Sequence, residues 1–189
     1  MARLIAVFLA ALCAAVSPAY AQERIGIAST EPVTILDNGS TRNKINIVFT
    51  QVAYGSNKNQ FYSDARLLSE GLFTEEPFKT YKPYFNQTAV WVNFANPKLA
   101  YTQLDGGMKS DMFYQVIEYS QRNKSIGVSL QNTYKIQPGG GQTGAGYDGF
   151  MFGEVTMPFE YENRPDFGYV RIFLHEFGHG FANLGEEYT

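Results

Sequence analysis

The alternation of apolar and polar positions divides the chain into a short series of elements. An apolar run from Leu4 to Val16 opens it, followed by a polar stretch with a turn signal at Asp37-Asn38-Gly39 and one weak strand at Val33 to Leu36. Lys44 to Phe49 alternates and then becomes continuously apolar, which predicts the first core strand. Asn59 to Phe73 places Phe61, Ala65, Leu68 and Leu72 on one helical face, and Pro77 stops that helix. Lys79 to Asn86 is a connection rich in tyrosine and lysine; Thr88 to Phe94, dense in β-formers, is the second core strand. Asp105-Gly106-Gly107 predicts a turn. Asp111 to Arg122 predicts a short helix with Phe113, Val116, Ile117 and Ser120 inward, and Ser125 to Gln131 a third strand. Pro138 to Gly149 is glycine-rich, a loop by composition, though glycine also lets a substrate backbone approach closely. Phe152 to Phe159 follows as an edge strand, where Pro158 is tolerated and an extended peptide could add; an ordinary hairpin is the alternative. Pro165 or Asp166 opens the last helix, and Gly185 closes it. This order predicts an α+β fold of the α/β-type three-layer kind, a mixed sheet packed by helices.

Composition adds compartment and size. Arg3, the apolar run Leu4 to Val16 and the small-x-small site Ala19-Tyr20-Ala21 form a bacterial-type signal peptide over residues 1–21, pointing to secretion or the periplasm, with no membrane anchor after cleavage. Cleavage after Ala21 leaves 168 of the 189 residues and removes Cys13, the only cysteine, so the mature chain has no disulfide and no thiolate metal ligand. That length suffices for one domain with a real core. A net charge of −3 without any basic run gives no electrostatic case for nucleic acid or an anionic membrane surface. Phenylalanine (15) and tyrosine (13) are abundant; they read as core plus surface tyrosines, with a sticky groove for an extended substrate as the alternative.

Both histidines of the chain lie in one motif, His175-Glu176-x-x-His179. Four residues on a helix are about 40° of rotation and about 6 Å of rise, so both imidazoles leave one face and can converge on a single Zn2+. Glu176 stands roughly 100° round from His175, off the metal but near the open coordination position, where a carboxylate can take a proton from an activated water. Phe173, Phe177 and Phe181 form an i, i+4, i+8 ridge that packs this helix into a core. The combination predicts the upper half of a zincin catalytic domain. A catalytic zinc usually has three protein ligands. With no third histidine and no mature cysteine, a carboxylate must serve. On a straight helix Glu186 would lie about 16 Å beyond His175, so the helix must end near Asn183 to Gly185 and the chain turn back. A third histidine at the metzincin spacing is absent: Gly185 stands there.

Three stretches resemble the IgA-peptidase-type zinc metalloendopeptidase family: Ile45 to Phe49 followed by Tyr54, the segment Phe73 to Asn86 with its Glu76-Pro77-Phe78, and His175 to Tyr188. Where that family carries a Gly-Asp-Gly-Tyr-like turn after its first strand, this chain has Thr50-Gln51-Val52-Ala53-Tyr54-Gly55, and where the family has Asp-Glu-Tyr it has Glu186-Glu187-Tyr188. The resemblance implies a secreted zinc endopeptidase with His175 and His179 as ligands and Glu176 as base. It gives Glu186 the place of the family's acidic residue, hence the third ligand, with Glu187 as the alternative or as a group orienting a ligand histidine. Tyr188 reads as a packed tyrosine, or as a donor to a developing oxyanion.

The expected organisation is a signal peptide (1–21), a polar lead segment (22–43) and a zincin-like metallopeptidase domain (44–189). Zincins continue past this motif into a lower subdomain, which is expected to be missing here, leaving the domain truncated at its C-terminal end. The expected partner is a peptide or protein substrate. The alternatives are a non-catalytic surface or binding module on a zincin scaffold, an inactive fragment, or a structural zinc site.

Overall fold

The computed structural model describes residues 25–102, 104, 106–120, 125–133, 142–144, 151–160 and 166–182. Six strands, β1 (Ile27–Leu36), β2 (Ile45–Val52), β3 (Phe85–Phe94), β4 (Ser125–Thr133), β5 (Gln142–Gly144) and β6 (Met151–Glu160), form one sheet in the order β1-β3-β2-β4-β6-β5. The four central strands are parallel: Phe49 of β2 stands between Ala89 of β3 and Val128 of β4, and Val128 in turn faces Val155 of β6. β1 and β5 run antiparallel at the two edges. Four α-helices accompany the sheet among the described residues: α1 (Lys58–Leu72), the single turn α2 (Phe78–Tyr81), α3 (Gly106–Ser120) and α4 (Asp166–Ala182). The chain is a mixed-sheet α+β fold in three layers, as the order of elements predicts.

The alternation of β2 assigns its two faces. Ile47 and Phe49 join Phe61, Ala65, Leu68 and Leu72 of α1 and Phe173 and Phe177 of α4 in one core; Val48 and Val52 join Met112 and Val116 of α3 in the other. Parallel strands covered on both faces read as nearly continuous apolar runs, which is why β2 and β3 are buried along almost their whole length. Phe113 of α3 lies directly over Gly127 of β4, where an added Cβ would stand 2.8 Å from its ring. The helix therefore sits on the bare backbone of the strand.

Several elements differ from expectation. The weak strand at Val33 to Leu36 is the end of a ten-residue edge strand reaching back to Ile27. Its polar residues are held from outside: the Lys58 ammonium donates to both Glu31 oxygens at 2.7 and 2.6 Å, and Asn93 Nδ2 donates to Ser29 Oγ and Glu31. The hydrogen bonds from Lys58 and then Asn93 hold the Glu31 carboxyl below the usual carboxylate range. The connection at Lys79 to Asn86 contains α2 and a 3-10 turn at Lys82–Tyr84, and β3 starts at Phe85 rather than Thr88. Gly106 and Gly107 begin α3 instead of forming a turn, because burial of Met112, Phe113 and Val116 outweighs the poor helix propensity of two glycines. β6 is not the edge: it pairs with β4 on one side and β5 on the other, and the edge strand is β5, inside the glycine-rich stretch. Pro158 lies beyond the Glu154 to Thr156 span that β5 covers, so its missing N–H costs no ladder bond on that side. The signal peptide at 1–21 and Pro165 fall outside the described residues.

After β2 the backbone turns through Ala53 at φ 60° and Gly55 at φ 59°. Left-handed backbone costs a non-glycine residue roughly 1–2 kcal/mol. Ala53→Gly is therefore expected to stabilise the fold by about 1 kcal/mol, offset in part by the entropy of glycine in the unfolded chain. Denaturant unfolding of the two proteins side by side checks this, and a midpoint that falls would contradict it.

Candidate metal centre

The helix α4 is held by its aromatic ridge. Phe173 and Phe177 are fully buried. The ring of Phe173 lies 6.3 Å from Phe49 and 5.5 Å from Phe177; Phe177 lies 5.3 Å from Phe78 and stacks at 12° on Phe181, 5.6 Å away. Packing of α4 against α1 is equally close: a Cβ on Gly71 would stand 2.6 Å from both methyls of Val170, so glycine is what lets the two helices meet. The same helix also touches β6 and β5.

This fixes the rotation of the motif. In helical azimuth His175 and His179 stand roughly 160–200° round from Phe177, on the side turned away from the aromatic core. His175 is exposed accordingly. Glu176, at the boundary between the two sides, is buried with 8% of its surface exposed. Phe173, Phe177 and Phe181, expected to pack the helix, do so, although Phe181 keeps 39% of its surface open at the end of the ridge. The structure thus brings together, on one rigidly packed helix, an exposed imidazole, a buried carboxylate beside it and the backbone of a second histidine one turn on.

His175 and the His179 position are four residues apart on one helical face, the spacing that two imidazole ligands of one zinc ion require, while the ridge on the opposite face takes up the packing. Among the described residues no group of three or more His, Cys, Asp or Glu side chains forms a metal cluster. Glu186, Glu187 and Tyr188, where the third ligand is expected, lie outside the described residues, as does the expected helix end near Asn183 to Gly185. Among the described residues no helix is long and apolar enough to cross a membrane.

The outer end of the ridge opens into an apolar pocket that Phe181 shares with Tyr81 and Tyr84. Its signals in the sequence are the abundance of aromatic residues and the tyrosine pair Tyr81 and Tyr84, spaced i, i+3 among lysines in a stretch that reads as a connection. No protein-family model matches the chain, and no curated protein is detectably similar to it.

Proposed function

We propose that the chain is an exported zinc-dependent endopeptidase built on the upper subdomain of a zincin. The observation that carries this reading is the placement of the His175 and His179 positions on one face of α4, turned away from the Phe173 to Phe181 ridge, with the buried Glu176 between them in sequence.

His175 and His179 would hold the metal, with Glu186 as third ligand. A zinc ion held there would supply a Lewis acid able to polarise a scissile carbonyl and lower the pKa of water. Glu176 then acts as the general base: its carboxylate takes the proton from the attacking water and delivers it to the leaving amine. Its burial strengthens the electrostatics of that transfer. Glu187 orients a ligand histidine or braces the turn. The edge strand β5, which α4 touches, offers main-chain groups to which an extended peptide can add. Export rests on Arg3, the apolar run Leu4 to Val16 and Ala19-Tyr20-Ala21.

Cleavage of a casein-type substrate by the purified chain tests the reading. Hydrolysis is expected, its loss on dialysis against a chelator is expected, and zinc should restore it. No cleavage by zinc-loaded protein would favour the non-catalytic binding module. The third ligand is tested by zinc affinity in Glu186→Gln and Glu187→Gln, where the larger loss, of about 10–100-fold or more, is expected at Glu186. A larger loss at Glu187 would exchange their roles, and no loss at either would move the ligand out of this motif.

A further inference from the structure

The connection from β1 to β2 contains the only Asn-Gly dipeptide of the sequence, Asn38-Gly39. Asparagine before glycine is the pair most open to attack of the backbone on its own side chain, because glycine puts no Cβ in the way of its nitrogen. In this turn every group that such a reaction uses is held. The Asn38 side-chain amide commits both of its N–H groups, one to the Lys82 carbonyl at 3.0 Å and one to the Phe85 carbonyl at 2.7 Å. The Asn38 backbone N–H donates to Asn86 Oδ1 at 2.7 Å, and Asn86 Nδ2 donates back to the Gly39 carbonyl at 2.8 Å. The Gly39 N–H, whose nitrogen is the nucleophile once deprotonated, donates to Asp37 Oδ1 at 2.9 Å.

These bonds fasten the β1–β2 connection to the start of β3. Lys44 adds a bond from its ammonium to the Pro83 carbonyl at 2.7 Å, and Asn46 Nδ2 donates to the Thr41 carbonyl at 2.9 Å. Asn86 is buried and Asn38 half-buried, whereas Asp37 and Gly39 are exposed, so solvent reaches the turn from outside. Phe85, whose carbonyl accepts from Asn38, carries the ring that meets Phe73 at 5.5 Å and Phe181 at 6.0 Å. The Asn38 amide is therefore a latch between a surface turn and the aromatic wall at the end of α4.

We propose that Asn38 is a spontaneous deamidation site gated by this latch, and that the reaction leaves the latch permanently open. While the turn is closed, Asp37 holds the nucleophile in its protonated form and the two carbonyls hold the leaving amide. When the turn opens, the Gly39 nitrogen gives its proton to solvent and attacks Asn38 Cγ. The new C–N bond closes a five-membered succinimide, the bond from Cγ to Nδ2 breaks, and Nδ2 takes a proton from solvent and leaves as ammonia. Water then adds to one of the two ring carbonyls and opens the ring to aspartate or isoaspartate. Nothing is oxidised or reduced, and water is the only co-reactant. Either product carries a carboxylate in place of the amide. A carboxylate has no N–H to offer the Lys82 and Phe85 carbonyls, and its charge is repelled by both oxygens. The modification is independent of the zinc centre.

The test incubates the full chain in mildly alkaline buffer, with chelator so that no hydrolysis enters, in the presence and absence of guanidinium chloride. Conversion of Asn38 is followed by peptide mapping with mass spectrometry. The unfolded chain is expected to convert faster than the folded one by about 10-fold or more, a ratio set by the opening equilibrium of the turn. In the folded state Asp37→Ala should speed conversion by about 3-fold and Asn86→Ala by about 10-fold, the equivalents of one exposed and two partly buried hydrogen bonds. Circular dichroism checks that each variant is folded; should Asn86→Ala fail to fold, the surface variant Asp37→Ala decides. Asn38→Asp, which reproduces one product, should raise hydrogen exchange of the amides at 38–43 by about 10-fold or more. Equal rates with and without denaturant, an unchanged rate in Asp37→Ala, or unchanged exchange in Asn38→Asp would each overturn the proposal.

Discussion

Glu176→Ala is expected to retain zinc at the stoichiometry of the parent chain and to lose peptide hydrolysis by about 10²–10⁴-fold, the contribution of a positioned general base. The expectation follows from where α4 puts this residue. Glu176 is one position past His175, roughly 100° round the helix, so it does not share the face of the two ligands. With 8% of its surface exposed it lies at the margin of the buried side, where a carboxylate is held in place rather than sweeping through solvent. Glu176→Gln is the companion variant, since it preserves volume at a buried position and removes only the proton acceptor. Both variants should behave alike in hydrolysis while zinc content, measured in parallel, stays constant. Undiminished cleavage by either would remove Glu176 from the mechanism.

His175→Ala and His179→Ala are expected to abolish stoichiometric zinc after dialysis, and hydrolysis with it. The structure separates this loss from unfolding. His175 is exposed and the stability of α4 comes from the opposite side, through Phe173, Phe177 and the Val170 contact with Gly71. Removing the His175 imidazole should therefore shift the stability of the metal-free chain by no more than about 0.5 kcal/mol. By contrast, Phe177→Ala should cost about 3–5 kcal/mol, because a fully buried ring would leave a cavity among Phe78, Phe173 and Phe181. Retention of one tightly held zinc in either histidine variant would show that the ligand set lies elsewhere.

What could be read from the sequence follows from where the signal resides. β2 and α1 were legible because their own residues carry the pattern: an apolar run for a strand covered on both faces, and Phe61, Ala65, Leu68 and Leu72 on one helical stripe. The phenylalanine ridge of α4 was legible for the same reason, and with it the exposed side on which His175 stands. Elements whose stability comes from a partner were not. β1 carries Ser29 and Glu31 on exposed positions and exists because β3 pairs with it and Lys58 and Asn93 hold its side chains. β5 sits in a glycine-rich stretch that has no strand propensity, and it is a strand through its pairing with Glu154 to Thr156 of β6. The pocket at Phe181 joins Ile45 of β2 to Phe85 of β3 and to the far end of the last helix, a proximity that only the folded chain creates.

The central claim is that the His175 and His179 face of α4 binds a zinc ion poised for hydrolysis. X-ray absorption at the zinc edge, on protein of known metal stoichiometry, tests it most directly. The account predicts one zinc per chain, two imidazole nitrogens at about 2.0–2.1 Å, and a shell completed by oxygen from one carboxylate and solvent. A chain that takes up no zinc, or a zinc whose spectrum lacks scattering from two imidazoles, would contradict it.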